Sequence, residues 1–140
     1  MKLTLVRFEE GAEGTNGRLM SSESGASSSW LTIEKPWRGN LPFVSRIAPK
    51  LRYKIIQAGE SSFVVVNVVN NAALKGRDAE TISIVPWRDV GSMSTGSIGI
   101  VKQHTGLGKG FGPDAPFAQL ADAINKALAT GEDVWLEVRA

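Results

Sequence analysis

Over much of the chain, apolar and polar positions alternate with a period near two. Leu3, Leu5 and, after Val6, Phe8 alternate with Lys2, Thr4 and Arg7, which predicts a half-buried strand over Met1–Phe8. Gly11 to Gly17 reads as a turn-rich connection, with Asn16-Gly17 as its hairpin signal because both residues tolerate positive φ. Arg18–Ser21 follows as a short return strand. Ser21–Ser29 (SSESGASSS) is too polar and small-sided to bury much, so it predicts a surface loop. Alternation resumes at Trp30–Glu34, offering Trp30, Leu31 and Ile33 to a core.

Lys35–Pro49 holds three prolines with Gly39 and Asn40, and predicts an ordered irregular connection. Leu51–Gln57 and Ser62–Val69 predict an antiparallel pair about Gly59-Glu60. Asn70–Glu80, bearing Lys75, Gly76 and Arg77, reads as a loop, Thr81–Val85 as a strand stopped by Pro86, and Ser97–Val101 as another strand. Lys102–Asp114 contains four glycines and a proline and predicts a loop. Three- and four-residue spacing then takes over. Phe117, Leu120, Ala121, Ile124 and Leu128 form a helical stripe over about 115–129, with Asp114 as N-cap, Pro116 in the first turn and Gly131 as the stop. Val134–Val138 closes as a strand. The expectation is one domain over residues 1–140, mainly β, a small barrel or sandwich of about eight short strands with one C-terminal helix.

Composition narrows the chemistry. With 140 residues, the chain is long enough for a real core without staples. It has no Cys, which excludes disulfides, thiolate nucleophiles and cysteine-ligated metals, and its single His leaves no His-rich metal site. No metal site and no cofactor are expected. A formal net charge of +2 is too balanced for nucleic-acid binding over the whole surface. Locally, Lys35, Arg38, Arg46, Lys50, Arg52 and Lys54 occur without an acid among them, while Glu9, Glu10, Glu13 and Glu23 crowd the first segment. That asymmetry predicts one basic and one acidic face. No apolar run reaches the length of a membrane span, and the strand-like opening does not read as a signal peptide, so synthesis in the cytoplasm is expected.

Several residues invite a functional reading. Ser97 is a nucleophile only beside a base, and His104 is the one histidine, but TGSIG lacks the nucleophile-elbow spacing. TGLGKGFG lacks the Ser or Thr after Lys109 that a phosphate loop needs, and a loop contacting a neighbour is the better reading. The tripeptide Pro-Trp-Arg occurs twice, at 36–38 and 86–88. Trp37 with Arg38 and Trp87 with Arg88 are candidate stacking sites for a ligand or partner, against the plainer reading that each Trp covers an end of the core. Arg52 and Lys54 share a strand face that would suit phosphates, or simply solvent or acidic neighbours.

MKLTLVR, GRL, LTIEKPWRGN, VSRIAPKLRYKI and FAQLADAINKALATGEDVWLEV, in that order, resemble the phage and bacterial family catalogued as domain of unknown function 5675. In that family a His-containing segment, with an Asn shortly after, precedes a glycine–cysteine–isoleucine motif. In ISIVPWRDVGSMSTGSIGIV, Pro86 falls about where the His would be, Asp89 near the Asn, and Ser97 where the Cys would be. The resemblance implies a non-enzymatic structural component of a phage virion, in a tail, baseplate or other particle. Its partners would be other virion proteins and further copies of itself, and its polar loops would gain order from those neighbours. The alternative it implies is a peptidoglycan-directed enzyme, or a relic that still binds peptidoglycan, using the 86–104 region with Ser97 and His104.

Overall fold

The computed structural model describes residues 1–23, 26–67 and 80–139, with side chains 22–27 left aside. The described residues form ten strands: β1 (Lys2–Gly11), β2 (Gly14–Glu23), β3 (Ala26–Glu34), β4 (Arg52–Gly59), β5 (Ser62–Asn67), β6 (Ser83–Pro86), β7 (Ile98–Val101), β8 (Gln103–Gly106), β9 (Lys109–Phe111) and β10 (Val134–Arg139). Among the described residues one α-helix, α1, spans Asp114–Ala129. Eight strands close a barrel in the order β1-β10-β4-β5-β6-β7-β3-β2, and β8 with β9 forms a separate hairpin. The barrel and the C-terminal helix agree with the sequence reading. Val68 and Val69, and Lys75, Gly76 and Arg77 of the expected loop, lie outside the described residues.

Alternation fills the barrel. Leu3 and Leu5 of β1, Leu19 of β2, Ile55 of β4, Phe63 and Val65 of β5, Ile98 and Ile100 of β7, and Val134, Leu136 and Val138 of β10 belong to one buried cluster. The helix adds Phe117, Leu120, Ala121, Ile124 and Ala127 to the same cluster, so its apolar stripe is the lid of the barrel interior. It covers the end where β1 and β10 begin and β4 turns into β5, and Asn125 bonds the Glu60 carbonyl in the β4–β5 turn. At the other end Ile47, fully buried, enters the cluster from the irregular 35–51 segment.

Four expectations need correction. The turn of the first hairpin lies at Gly11–Gly14, not at Asn16-Gly17, which pairs with β1 inside β2. Gly17 is there for close approach, because a Cβ would lie 2.7 Å from the Val6 carbonyl oxygen. Ser21–Ser29 is not a loop: its described residues extend β2 and β3, paired Ser21↔Ser28 and Ser22↔Ser27. Lys102–Asp114 is not a loop either but carries the β8–β9 hairpin. Its glycines let it lie flat on a second apolar cluster of Ile33, Val90, Met93 and Val101, and a Cβ at Gly110 would lie 2.6 Å from the Val101 side chain. Finally, Pro113 rather than Asp114 occupies the N-cap, with no side-chain bond, and Asp114 is the first helical residue.

Candidate functional site

The end of the barrel opposite the helix is built from buried charge. Arg7 follows Leu3 and Leu5 at the same parity of β1, and Glu34 follows Trp30 and Thr32 on β3, so both point inward. Arg7 Nε donates to Glu34 Oε1 at 3.0 Å and Nη2 to Oε2 at 2.8 Å, with the two side chains 2% and 1% exposed. The same Nη2 donates to the Ile47 carbonyl at 3.0 Å and so ties the 35–51 segment to the barrel wall. Arg46, also buried, donates to Glu10 Oε2 at 2.6 Å. Burial and, after it, the like charge of Arg7 lower the Arg46 pKa, while Glu10 and Glu34 oppose that shift.

Glu80 holds the tip of this segment from beneath. Buried itself, it accepts from the Phe43 amide at 2.9 Å and from the Gly96 amide. Asn40, Phe43 and Lys50 all adopt positive φ, and for a bulky Phe at +67° this conformation is costly. The cost is borne while the side chains face outward: Trp37, Leu41, Phe43 and Val44 are all exposed. Four large apolar groups on one fixed loop form the most conspicuous surface feature among the described residues.

The two Pro-Trp-Arg tripeptides border separate clefts. Pro36 and Arg38 line one of about 280 Å³ with Glu13, Val44 and Val90. Trp87 and Arg88 line another of about 350 Å³ with Asp89, Ser92 and Asp114. Trp37 takes its cation from Arg46, whose guanidinium lies 5.8 Å from the ring centroid, and Trp87 Nε1 donates to Ser92 Oγ at 3.2 Å. Arg38 is exposed, its backbone N–H held by Ser45 Oγ.

Arg52 and Lys54 do share the outer face of β4. Both lie over the Trp135 ring of β10, at 4.3 and 5.8 Å from its centroid, and Lys54 pairs with Asp133 at 3.3 Å. Beside them is the largest cleft among those described, about 490 Å³, lined by Lys50, Leu51, Arg52, Glu137, Val138 and Arg139. Glu137 sits in it as the counter-charge, and its hydrogen bond and attraction to Lys2, with a further bond from Arg139, hold its carboxyl below the usual range.

Ser97 and His104 are not brought together. Ser97 is buried, accepts from the Ser83 amide at 3.0 Å and bonds the Thr95 hydroxyl at 2.6 Å. His104 Nε2 meets the Thr32 carbonyl at 2.8 Å, and its ring stands edge-on to Phe8. Both are used in packing strands together. The expected separation of an acidic and a basic face is also overturned: Glu10 pairs with Arg46, and Glu13 lines a cleft with Lys35 and Arg38, so the two segments neutralise each other at one end of the barrel.

Sequence reasoning missed Arg7, Glu34, Glu80, Phe43 and Trp135. For the first two a signal existed, a charge at the apolar parity of a strand. For Glu80 none did, since its partners lie far along the chain. Among the described residues no group of three or more His, Asp or Glu is placed to hold a metal ion, and no helix is long and apolar enough to cross a membrane. No family model, curated protein or solved structure matches the chain.

Proposed function

We propose that this chain is a non-enzymatic structural component of a phage virion, a tail, baseplate or other particle protein that works through subunit contacts. The observation that carries the reading is the loop around Phe43, where exposed Trp37, Leu41, Phe43 and Val44 sit on a backbone fixed by buried Glu80 and by the Arg7–Glu34 pair. Large apolar anchors on a preorganised support are what a protein–protein contact requires, because little order is lost on docking. The resemblance to a phage-associated family supplies the setting. Synthesis then takes place in the host cytoplasm and the finished protein resides in the particle, beside other virion proteins.

Co-sedimentation tests this. The native chain is expected to band with intact particles on a density gradient, while Phe43→Gly keeps its fold, since glycine relieves the positive φ, yet is depleted from particles several-fold. Recovery of the native chain only as free protein in lysates overturns the reading.

The Trp87 cleft favours a second reading, a relic that binds peptidoglycan in the 86–104 region. An indole face flanked by Arg88, Asp89 and Asp114 offers a sugar both a stacking surface and polar partners. Retention on purified sacculi, lost in Trp87→Ala, supports it. Cleavage of sacculi abolished by Ser97→Ala supports the enzymatic form instead.

A further inference from the structure

The charges that cancel at the plugged end of the barrel do not cancel around its wall. Strand register puts Lys2, Trp135 and Lys54 in one row across β1, β10 and β4, and sets Glu137 opposite Arg52 in the next. A third row carries Arg18, Val6 and Arg139 across β2, β1 and β10. These positions alternate with buried Leu3, Leu5, Leu19, Leu136 and Tyr53, so they lie on the outer surface of the barrel. Lys50 borders the same surface at the cleft of about 490 Å³. The cations of this face outnumber its carboxylates, Glu137 and Asp133. Lys2 and Arg139 share Glu137, and Lys54 takes Asp133. Among the described residues Arg18, Lys50 and Arg52 pair with no carboxylate, and all three are exposed.

Trp135 governs how these cations are presented. The Arg52 guanidinium lies 4.3 Å from the indole centroid and Lys54 Nζ 5.8 Å from it, while Arg52 stays exposed to solvent. A guanidinium seated on a ring loses little freedom on binding, so its N–H fork and its outer plane are preorganised. A phosphate takes the fork, and an unpaired nucleobase stacks on a guanidinium plane or an aromatic ring. We infer that the outer face of β1, β10 and β4 binds single-stranded nucleic acid, with the phosphodiester backbone on Arg52, Lys50 and Arg139 and a base stacked at the Arg52–Trp135 pair.

Two features favour a nucleic-acid strand over an acidic protein. A protein contact is anchored by a buried apolar core, but the exposed large apolar side chains cluster on the 37–44 loop, and this face has only Leu51 and Met20 at its margins. The basic residues also run across adjacent strands rather than around a closed pocket, and α1 covers an end of the barrel rather than this wall, so a chain can cross it lengthwise. Glu137 works against the site, because it stands directly opposite Arg52 and its attraction to Lys2 keeps it ionised. A local face of this kind is compatible with a formal net charge of only +2. The inference does not rest on the virion reading, which uses the loop around Phe43.

Fluorescence anisotropy of a short labelled oligothymidylate, titrated with the full chain over a salt series, tests the site. The native protein is expected to bind the single strand more tightly than a duplex of the same length, since stacking is open only to unpaired bases. Arg52→Ala is expected to weaken binding about tenfold, and Lys50→Ala to reduce the slope of log affinity against log salt by about 0.7. Glu137→Gln is expected to tighten binding about threefold, a gain that a misfolded variant would not give. Lys126→Ala, which removes the same charge from exposed α1, should leave binding as it was, and unchanged thermal unfolding confirms that the variants fold. A native chain that does not bind the oligothymidylate overturns the inference. So does a duplex or poly-glutamate bound as tightly as the single strand, or equal losses in Arg52→Ala and Lys126→Ala, which would assign binding to net charge rather than to this face.

Discussion

The two ends of the barrel are closed by opposite means. At one end the α1 stripe from Phe117 to Ala127 seals the interior mainly with apolar side chains, with Asn125 adding one bond to the Glu60 carbonyl. At the other, an irregular segment is held down by directional bonds: Arg7 to Glu34 and to the Ile47 carbonyl, Arg46 to Glu10, Glu80 to the Phe43 amide. An apolar lid is non-directional and tolerates small shifts, since its free energy follows buried area. A charged plug tolerates few, because each buried group left without its partner pays its full desolvation. What the plug gains is a fixed loop conformation, including a strained Phe43 that an apolar lid would have no means to hold.

The largest expected effect breaks the plug. Arg7→Leu or Glu34→Leu alone leaves a buried charge unpaired and is expected to cost about 3–5 kcal/mol in urea unfolding. The double variant Arg7→Leu/Glu34→Leu is expected to lose less than either single change. If the losses simply add, the pair does not act as a unit. At the lid, Ile124→Ala is expected to cost about 2–4 kcal/mol by leaving a cavity, while hydrogen exchange at the 37–44 loop stays as in the native chain. Exchange that rises equally at both ends would show that the two closures are one cooperative unit. The smallest effect isolates the loop: Glu80→Ala is expected to cost about 1–3 kcal/mol. Amides of Phe43 and Gly96 should then exchange faster while those of α1 do not, and uniform acceleration would mean that Glu80 supports the barrel rather than the loop.

This contrast also explains what was legible. Strand and helix positions follow from a local period, so β1, β4, β5, β10 and α1 fall close to where the pattern of apolar residues puts them. Turn chemistry misled at Asn16-Gly17, because the same two residues that favour a turn also serve a strand: Asn16 reaches the β8–β9 hairpin through the Gly106 carbonyl and the Gly108 amide, and Gly17 gives the barrel wall its clearance. The serine and glycine tracts misled for the same reason. Low hydrophobicity marks exposure, and an extended hairpin or a hairpin laid flat on the barrel is as compatible with it as a loop.

Of the candidate site, the sequence by itself placed Arg52 and Lys54 on one strand face and marked both tryptophans as surface candidates, since alternation and the flanking prolines are local properties. It also limited the chemistry, through the absence of Cys and the single His. Only the tertiary structure decided that Arg46 rather than Arg38 serves Trp37, that Trp135 carries the basic pair, and that Ser97 and His104 are spent separately. Each of these depends on which distant strands become neighbours and how far they are staggered. Barrel closure sets that geometry, and no period along the chain encodes it.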